Sequence, residues 1–385
     1  MNPEDFRNTP AGRTIRSPKG YWAFIPAPLP PPLDWSPALV SILAEAERNL
    51  SRLASLGVTL PSPHLLARPF VRREAVVSSR IEGTRATLTD LYTYETAQLS
   101  FLEPDTDVRE VHNYVRALDY GMQRLESLPV SLRLIREVHA RLMEGVRGER
   151  LTPGEFRRSQ NWIGPAGCTL TDAPYVPPPE HEMRKALDEL EKYIHAPSDL
   201  PPLVRLGLIH YQFEAIHPFL DGNGRIGRLL VILLLCEWDL LPQPFLYLSG
   251  YFEAHRQMYY ERLLHISQRG EWEEWMRFFL AGVSLQSMDA AHRIARLQEL
   301  RGVYRRLVQP ERAAPRLLAT LDVLFERPIV SVRQVEGALG VPYRSAQRYV
   351  EKLEALGLLR EITGRARNRL YCAEEILRAI EGEGG

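Results

Sequence analysis

Hydrophobic positions recur along most of this chain at three- and four-residue intervals, the period of an amphipathic helix, and prolines and glycines punctuate the recurrences. The stretch Ser36-Pro-Ala-Leu-Val-Ser-Ile-Leu-Ala-Glu-Ala-Glu-Arg48 predicts a helix with Ser36 as N-cap and Pro37 at its first position. A second helix is predicted over residues 68–82, stopped by Gly83. From about residue 108 to 283, helical patterns alternate with short Pro/Gly breaks, and only residues 167–178 read as extended. The apolar run at 229–236 predicts a buried helix, because Glu237 ends it well short of the ~18 apolar residues a membrane span requires. Residues 290–307 continue as a charged amphipathic helix that stops before Pro310. Helices at 313–325, 332–339 and 343–356 and short strands at 358–362 and 369–372 follow. Near the start, the Pro-rich stretch at 26–32 cannot be helical, since proline lacks an amide donor and clashes with the preceding turn. The expected organisation is a mainly α chain: an extended Pro-rich arm (1–35), an N-terminal helical region (36–107), a helical core (108–285), a linker helix (286–312) and a small C-terminal domain (313–377).

Composition narrows the function classes. At about 150 residues per domain, 385 residues make two to three domains. With 48 basic against 48 acidic residues there is no global field, so any nucleic-acid contact has to come from a local patch. Cys168, Cys236 and Cys372 are isolated and form neither a CxxC pair nor a disulfide framework. His210 and His217 stand seven apart, which is not the spacing of a helical zinc pair. The N-terminus lacks a basic segment followed by an apolar one, and no membrane partner is expected; the expected compartment is the cytoplasm.

The chemistry concentrates in His217-Pro-Phe-Leu-Asp-Gly-Asn-Gly-Arg-Ile-Gly-Arg228, between two helical segments. Pro218 forces the chain to turn, and Gly222 and Gly224 let main-chain amides converge at the start of the next helix. Such an amide nest favours an anion, here a phosphate. Arg225 and Arg228, three apart, are expected to share a face and reach phosphoryl oxygens. Asp221 could hold a divalent cation, and the His217 imidazole can take a proton near neutral pH. Together these groups suit attack of a hydroxyl on a nucleotide phosphorus.

This stretch resembles the signature of the Fic family, H-P-F-x-[DE]-G-N-G-R-x-x-R, at every specified position. The resemblance implies a mainly helical domain that transfers AMP from ATP to a hydroxyl of a target protein. It makes His217 the general base, Asp221 the Mg²⁺ ligand, Gly222, Asn223 and Gly224 the phosphate cradle assisted by Arg225, and Arg228 the grip on the γ-phosphate. Upstream, Ser78-Ser-Arg-Ile-Glu82-Gly83 resembles the family's inhibitory motif, in the class whose inhibitory helix is N-terminal. Glu82 would then pair with Arg228 and spoil productive ATP binding. Residues 154–164 and 167–178 look like the approach to the family's β-hairpin flap, where a strand edge can hold an incoming peptide. Tyr259 and Tyr260 match a paired-tyrosine position associated with the nucleotide base, although Ser267 stands where some relatives have asparagine.

The C-terminal pattern of helix, turn at Gly340, helix and hairpin resembles a winged helix-turn-helix. Arg344 and Arg348 fall on its recognition helix and Arg365 and Arg367 on its wing, positions suited to DNA. Winged helices also dock proteins, so both partners stay open. The expected function is transfer of AMP from Mg·ATP to a Ser, Thr or Tyr hydroxyl of a protein, the chain itself included, under restraint by Glu82. The alternatives are a nucleotide-sensing DNA-binding regulator, or an enzyme of this type that removes AMP or transfers another phosphate-containing group. A homodimer is compatible with the resemblance.

Overall fold

A computed structural model describes residues 1–382 except 8, 61, 62, 98–105, 147, 149, 150 and 166, so residues 98–105 of the expected 36–107 region lie outside the described residues. After a short 3-10 helix at Pro3–Phe6 comes an antiparallel hairpin, β1 (Gly12–Arg16) against β2 (Trp22–Pro26), in register Thr14↔Phe24. The expected extended arm over 1–35 is thereby corrected: only the stretch after Pro26 remains extended. Phe24 is fully buried and packs on Phe6 and Tyr175, long-range contacts that make a strand pair of a segment with little local signal.

The helical body follows in order: α1 (Pro37–Thr59), α2 (Pro63–Ile81), α3 (Leu88–Ala97), α4 (Thr106–Leu125), α5 (Leu132–Leu142), α6 (Glu180–His195), α7 (Pro202–Ile216), α8 (Asn223–Glu237), α9 (Ser249–Ala254), α10 (Arg256–Arg269) and α11 (Trp272–Val308). Ser36 caps α1 as its sequence predicts, accepting from the Leu39 amide at 3.1 Å. The second helix begins at Pro63, five residues before its expected start, with Pro69 inside it. The charged stretch expected as a separate linker helix is the second half of the 37-residue α11, whose long apolar stripe packs against α1. α7 and α8 are buried nearly all round and form the centre of the body, with α4 and α5 covering α8.

Between α5 and α6 the described residues run through a series of turns, such as Glu155 back to Thr152 and Ala173 back to Thr169, so the stretch 167–178 expected as extended begins as a turn. The segment's two arms meet at one antiparallel bridge, Ile163↔Tyr175, where Pro165, Pro174 and Pro177 remove the donors a longer ladder needs. The Phe24 amide also donates to the Val176 carbonyl at 2.9 Å, so the N-terminal hairpin braces this flap.

The C-terminal domain comprises α12 (Ala314–Glu326), β3 (Ile329–Ser331), α13 (Val332–Leu339), α14 (Tyr343–Ala355), β4 (Arg360–Glu361), β5 (Leu370–Cys372) and α15 (Glu374–Glu381), with strand order β3-β5-β4. Gly340 caps α13 in the left-handed conformation, as a tight helix-turn-helix requires. The domain packs on the body through α2: both α12 and α15 lie against it, and Arg68 of α2 pairs with Glu326. Among the described residues no helix is long and apolar enough to cross a membrane.

Candidate active site

α7 ends where Pro218 forbids further helix. His217 takes up the left-handed conformation (φ 49°, ψ 61°) while its amide donates to Phe213 at 3.0 Å. The turn is held from several sides. Asn161 donates to the carbonyls of His217 (3.3 Å) and Phe219 (2.7 Å), and Asn223 both accepts from and donates to the Phe219 backbone at 2.8 Å. His139 stacks on Phe219 with ring centroids 3.7 Å apart. Its Nδ1 accepts from the Gly154 amide (2.8 Å), so Nε2 carries the hydrogen and donates to the Asp221 carbonyl at 3.0 Å. Burial pushes His139 down to about 4, which keeps it in that neutral form. Asn161 and His139 were not singled out in the sequence, since nothing local distinguishes a loop asparagine or a core histidine.

Gly222, at φ 78°, opens α8, whose first helical bond runs from the Ile226 amide to the Gly222 carbonyl. The amides of Asn223, Gly224 and Arg225 therefore stand at the free positive end of the helix dipole. The Asn223 side chain is spent on the loop, so its contribution to a cradle is main-chain.

The α8 amide end borders a cavity of about 930 Å³, near the top of the roughly 300–1,000 Å³ usual for ligand sites. His217, Gly224, Arg228, Glu214 and Glu82 form one wall; Trp162, Ile163 and Tyr175 of the flap form another; Tyr260 and Leu263 of α10 close the side. His217 Nδ1 donates to the Glu214 carbonyl at 3.3 Å, leaving the Nε2 lone pair available. Burial and the nearby Arg157 charge push His217 down to about 4, so the imidazole is neutral at physiological pH.

Arg228 reaches back to α2. Its Nε donates to Ser78 Oγ (2.8 Å) and its Nη2 to the Ser78 carbonyl (3.0 Å) and to Glu82 Oε1 (2.7 Å). One guanidinium thus satisfies an orphan carbonyl in the last turn of α2 and the carboxylate just beyond it, a carboxylate the helix dipole alone would disfavour. Burial would raise the Glu82 pKa, but the Arg228 charge and hydrogen bond outweigh it and hold the group below its usual range. A Cβ on Gly224 would collide with the Glu82 carboxylate, so this anion already sits over the amide end of α8.

One expectation changes. Arg225 does not share a ligand face with Arg228. It is buried and pairs with Glu110 of α4 at 3.0 Å, because side chains three residues apart still diverge by about 60° around a helix. Both tyrosines of the pair border the cavity, with different exposure. Tyr259 is buried against Phe252, and its hydroxyl meets His210 Nε2 at 2.9 Å, whereas Tyr260 is 41% exposed beside the cavity. Ser267 faces Tyr211, with hydroxyls 2.9 Å apart.

Asp221 lies at the loop's mouth with its side chain 38% exposed, Oδ1 accepting from the Gly222 amide at 2.7 Å. No group of three His, Cys, Asp or Glu is placed to hold a metal among the described residues. A lone carboxylate nevertheless fits Mg²⁺, which commonly takes one or two carboxylates together with substrate phosphates.

Comparison with known proteins agrees with this arrangement. Residues 40–123 match the Fic/DOC family N-terminal domain, residues 129–235 the Fic/DOC family domain, and residues 315–371 a helix-turn-helix DNA binding domain. Two relatives called protein adenylyltransferase Fic, from Drosophila erecta and Drosophila grimshawi, are 27% and 28% identical over 185 residues. Each match takes in 46% of this chain and 34% of the relative, so the chain spans about a third of the length of these curated proteins. Among solved structures, a Fic family protein from Desulfovibrio desulfuricans G20 covers 90% of this chain and 98% of its own, with a TM-score of 0.56 at 20% identity. A Fic-1 fragment from C. elegans covers 66% of this chain and 73% of its own, with a TM-score of 0.51 at 20% identity. These two likenesses establish the fold.

Proposed function

From a chain that carries Fic/DOC N-terminal and Fic/DOC domains followed by a helix-turn-helix domain, we propose a protein adenylyltransferase that moves AMP from ATP to a Ser, Thr or Tyr hydroxyl of a protein, itself included. The observation that carries this reading is the neutral, left-handed His217 sharing one cavity with the amide end of α8 and with Arg228. The acceptor oxygen attacks the α-phosphorus and its proton passes to Nε2 of His217. The bond from that phosphorus to the bridging oxygen breaks, and pyrophosphate leaves. The main chain at Gly222, Asn223 and Gly224 receives phosphate oxygens, and Arg228 binds the terminal phosphate once it is free of Glu82. Asp221 would hold Mg²⁺, whose charge offsets that of the phosphates. Arg225 acts indirectly, pinning α8 to α4 through Glu110, while Tyr260 borders the region open to the base. With Glu82 on Arg228 the terminal phosphate has no clamp, which is the restraint.

Intact-mass analysis after incubation with Mg·ATP tests both parts. Glu82→Gly is expected to gain one AMP, with little or none on the wild type and none on Glu82→Gly/His217→Ala. Equal adducts on wild type and Glu82→Gly would overturn the restraint, and an adduct surviving His217→Ala would overturn the role of the base.

A second reading concerns the C-terminal domain alone. Arg344 and Arg348 on α14 and Arg365 and Arg367 on the wing are exposed and form no salt bridge among the described residues, which favours duplex DNA over a protein partner.

A further inference from the structure

Arg157 lies in the irregular segment between α5 and α6, wholly buried (0% exposed). Every hydrogen bond of that side chain ends on a backbone carbonyl: Nε on His217 (2.9 Å), Nη2 on Pro178 (2.6 Å) and Ile216 (3.5 Å), and Nη1 on Ser159 (3.4 Å). Its own amide donates to Pro218 at 2.9 Å. One residue therefore takes three successive carbonyls of the α7–α8 turn and joins them to the far arm of the flap at Pro178. A buried guanidinium is costly to desolvate and is normally paired with a carboxylate. No acidic side chain is hydrogen-bonded to Arg157 among the described residues; Tyr21, Tyr175 and Glu180 are the groups whose fields favour its charge.

Two features of His217 need such a neighbour. A histidine at positive φ is strained and persists only where surrounding contacts over-determine it. A proton acceptor facing phosphates also has to be without a proton before the reaction. The groups bordering the ring are Arg157 from the flap, Glu82 after α2, Glu214 on α7 and Arg228 on α8. Burial does most to disfavour the protonated imidazole and the Arg157 charge adds to it, while the hydrogen bond to the Glu214 carbonyl and the Glu82 carboxylate draw a proton the other way.

We propose that Arg157 is a positioning residue for His217: its guanidinium locks the left-handed turn against the flap and sets an unpaired positive charge beside the imidazole, so that Nε2 meets the acceptor hydroxyl without a proton. The inference rests on the reading of His217 as proton acceptor, and its test separates the two.

The experiment follows His217 by NMR of the full-length protein carrying labelled histidine, the signal being identified by its loss in His217→Ala. Arg157→Gln is expected to raise the His217 titration midpoint by about one unit or more, toward the ordinary ~6.5. Arg157→Lys keeps the charge and should leave the midpoint low. In the Glu82→Gly background Arg157→Lys is expected to slow AMP transfer at least tenfold with little change in KM for ATP, because the fork over the carbonyls is gone. Unmoved His139 and His210 signals check that the core stays folded. An unchanged midpoint in Arg157→Gln, or full-rate transfer in Arg157→Lys, overturns the inference; should Arg157→Gln not fold, the Arg157→Lys rate decides. A shifted midpoint in a protein that never transfers AMP would uphold the role of Arg157 and overturn the transfer reading.

Discussion

Glu214 projects from the last turn of α7 against Gly227, where a Cβ would collide with its carboxylate, and its Oε1 is buried without a hydrogen-bond partner. Burial raises its pKa to about 7, Arg228 offsetting part of the rise and Glu82 adding to it. Glu82 and Glu214 thus stand near the same arginine with opposite shifts, since Glu82 alone holds the hydrogen bond. Because the folded pKa of Glu214 lies above its usual 4.5, the folded state holds a proton that the unfolded chain has lost, and stability declines as pH rises from about 4.5 to 7. Glu214→Gln removes that decline. It is expected to melt higher than the wild type at pH 8, by up to about 3 kcal/mol, and to match it near pH 4. Thermal melts across that range decide, and an equal difference at both ends would refute the assignment. Glu74, also raised to about 7 by burial, titrates identically in both proteins and cancels from the comparison.

Helix ends carry the chemistry at the next scale. α2 stops because Gly83 adopts φ 101°, with the Thr84 amide donating back to Ser79 at 3.2 Å. The glycine is therefore the C-cap directly after Glu82, the residue that pairs with Arg228. Gly83→Ala has free space for its Cβ, so its effect comes from backbone strain alone. It is expected to cost about 1 kcal/mol and, for a chain of this length, to lower the melting temperature by roughly 1–2 °C. Scanning calorimetry checks this, and an unchanged melting temperature would show that the turn is not strained by a Cβ. The α7–α8 junction was legible in the sequence for the same local reasons: Pro218 excludes helix and Gly222 admits positive φ. The hairpin β1–β2 was not, because its stability comes from packing against residues far along the chain; the flap with its Ile163–Tyr175 bridge was expected from the family resemblance and not from local chemistry.

For the whole molecule, α2 touches both the cavity and the C-terminal domain: its final turn meets Arg228, and α12 and α15 pack against it. If α14 and the wing contact phosphates, affinity for a random-sequence duplex should fall steeply between about 50 and 200 mM salt, and Arg344→Ala and Arg348→Ala should each weaken binding and flatten the salt slope by about one. Fluorescence anisotropy measures this, and a salt-independent affinity would overturn the DNA reading. The sequence by itself determined what depends on neighbouring residues: the helical periodicity, the cap of α1, the turn after α7, the amide nest before α8, and the helix-turn-helix. Tertiary structure decided which groups face one another. It turned Arg225 to Glu110, buried Tyr259 against His210, and drew Arg157, sixty residues before His217, onto that residue's carbonyl. Helix propensity and turn chemistry act over a few residues and can be read along the chain. Charge pairing and burial act through space, between segments that only the folded packing brings together.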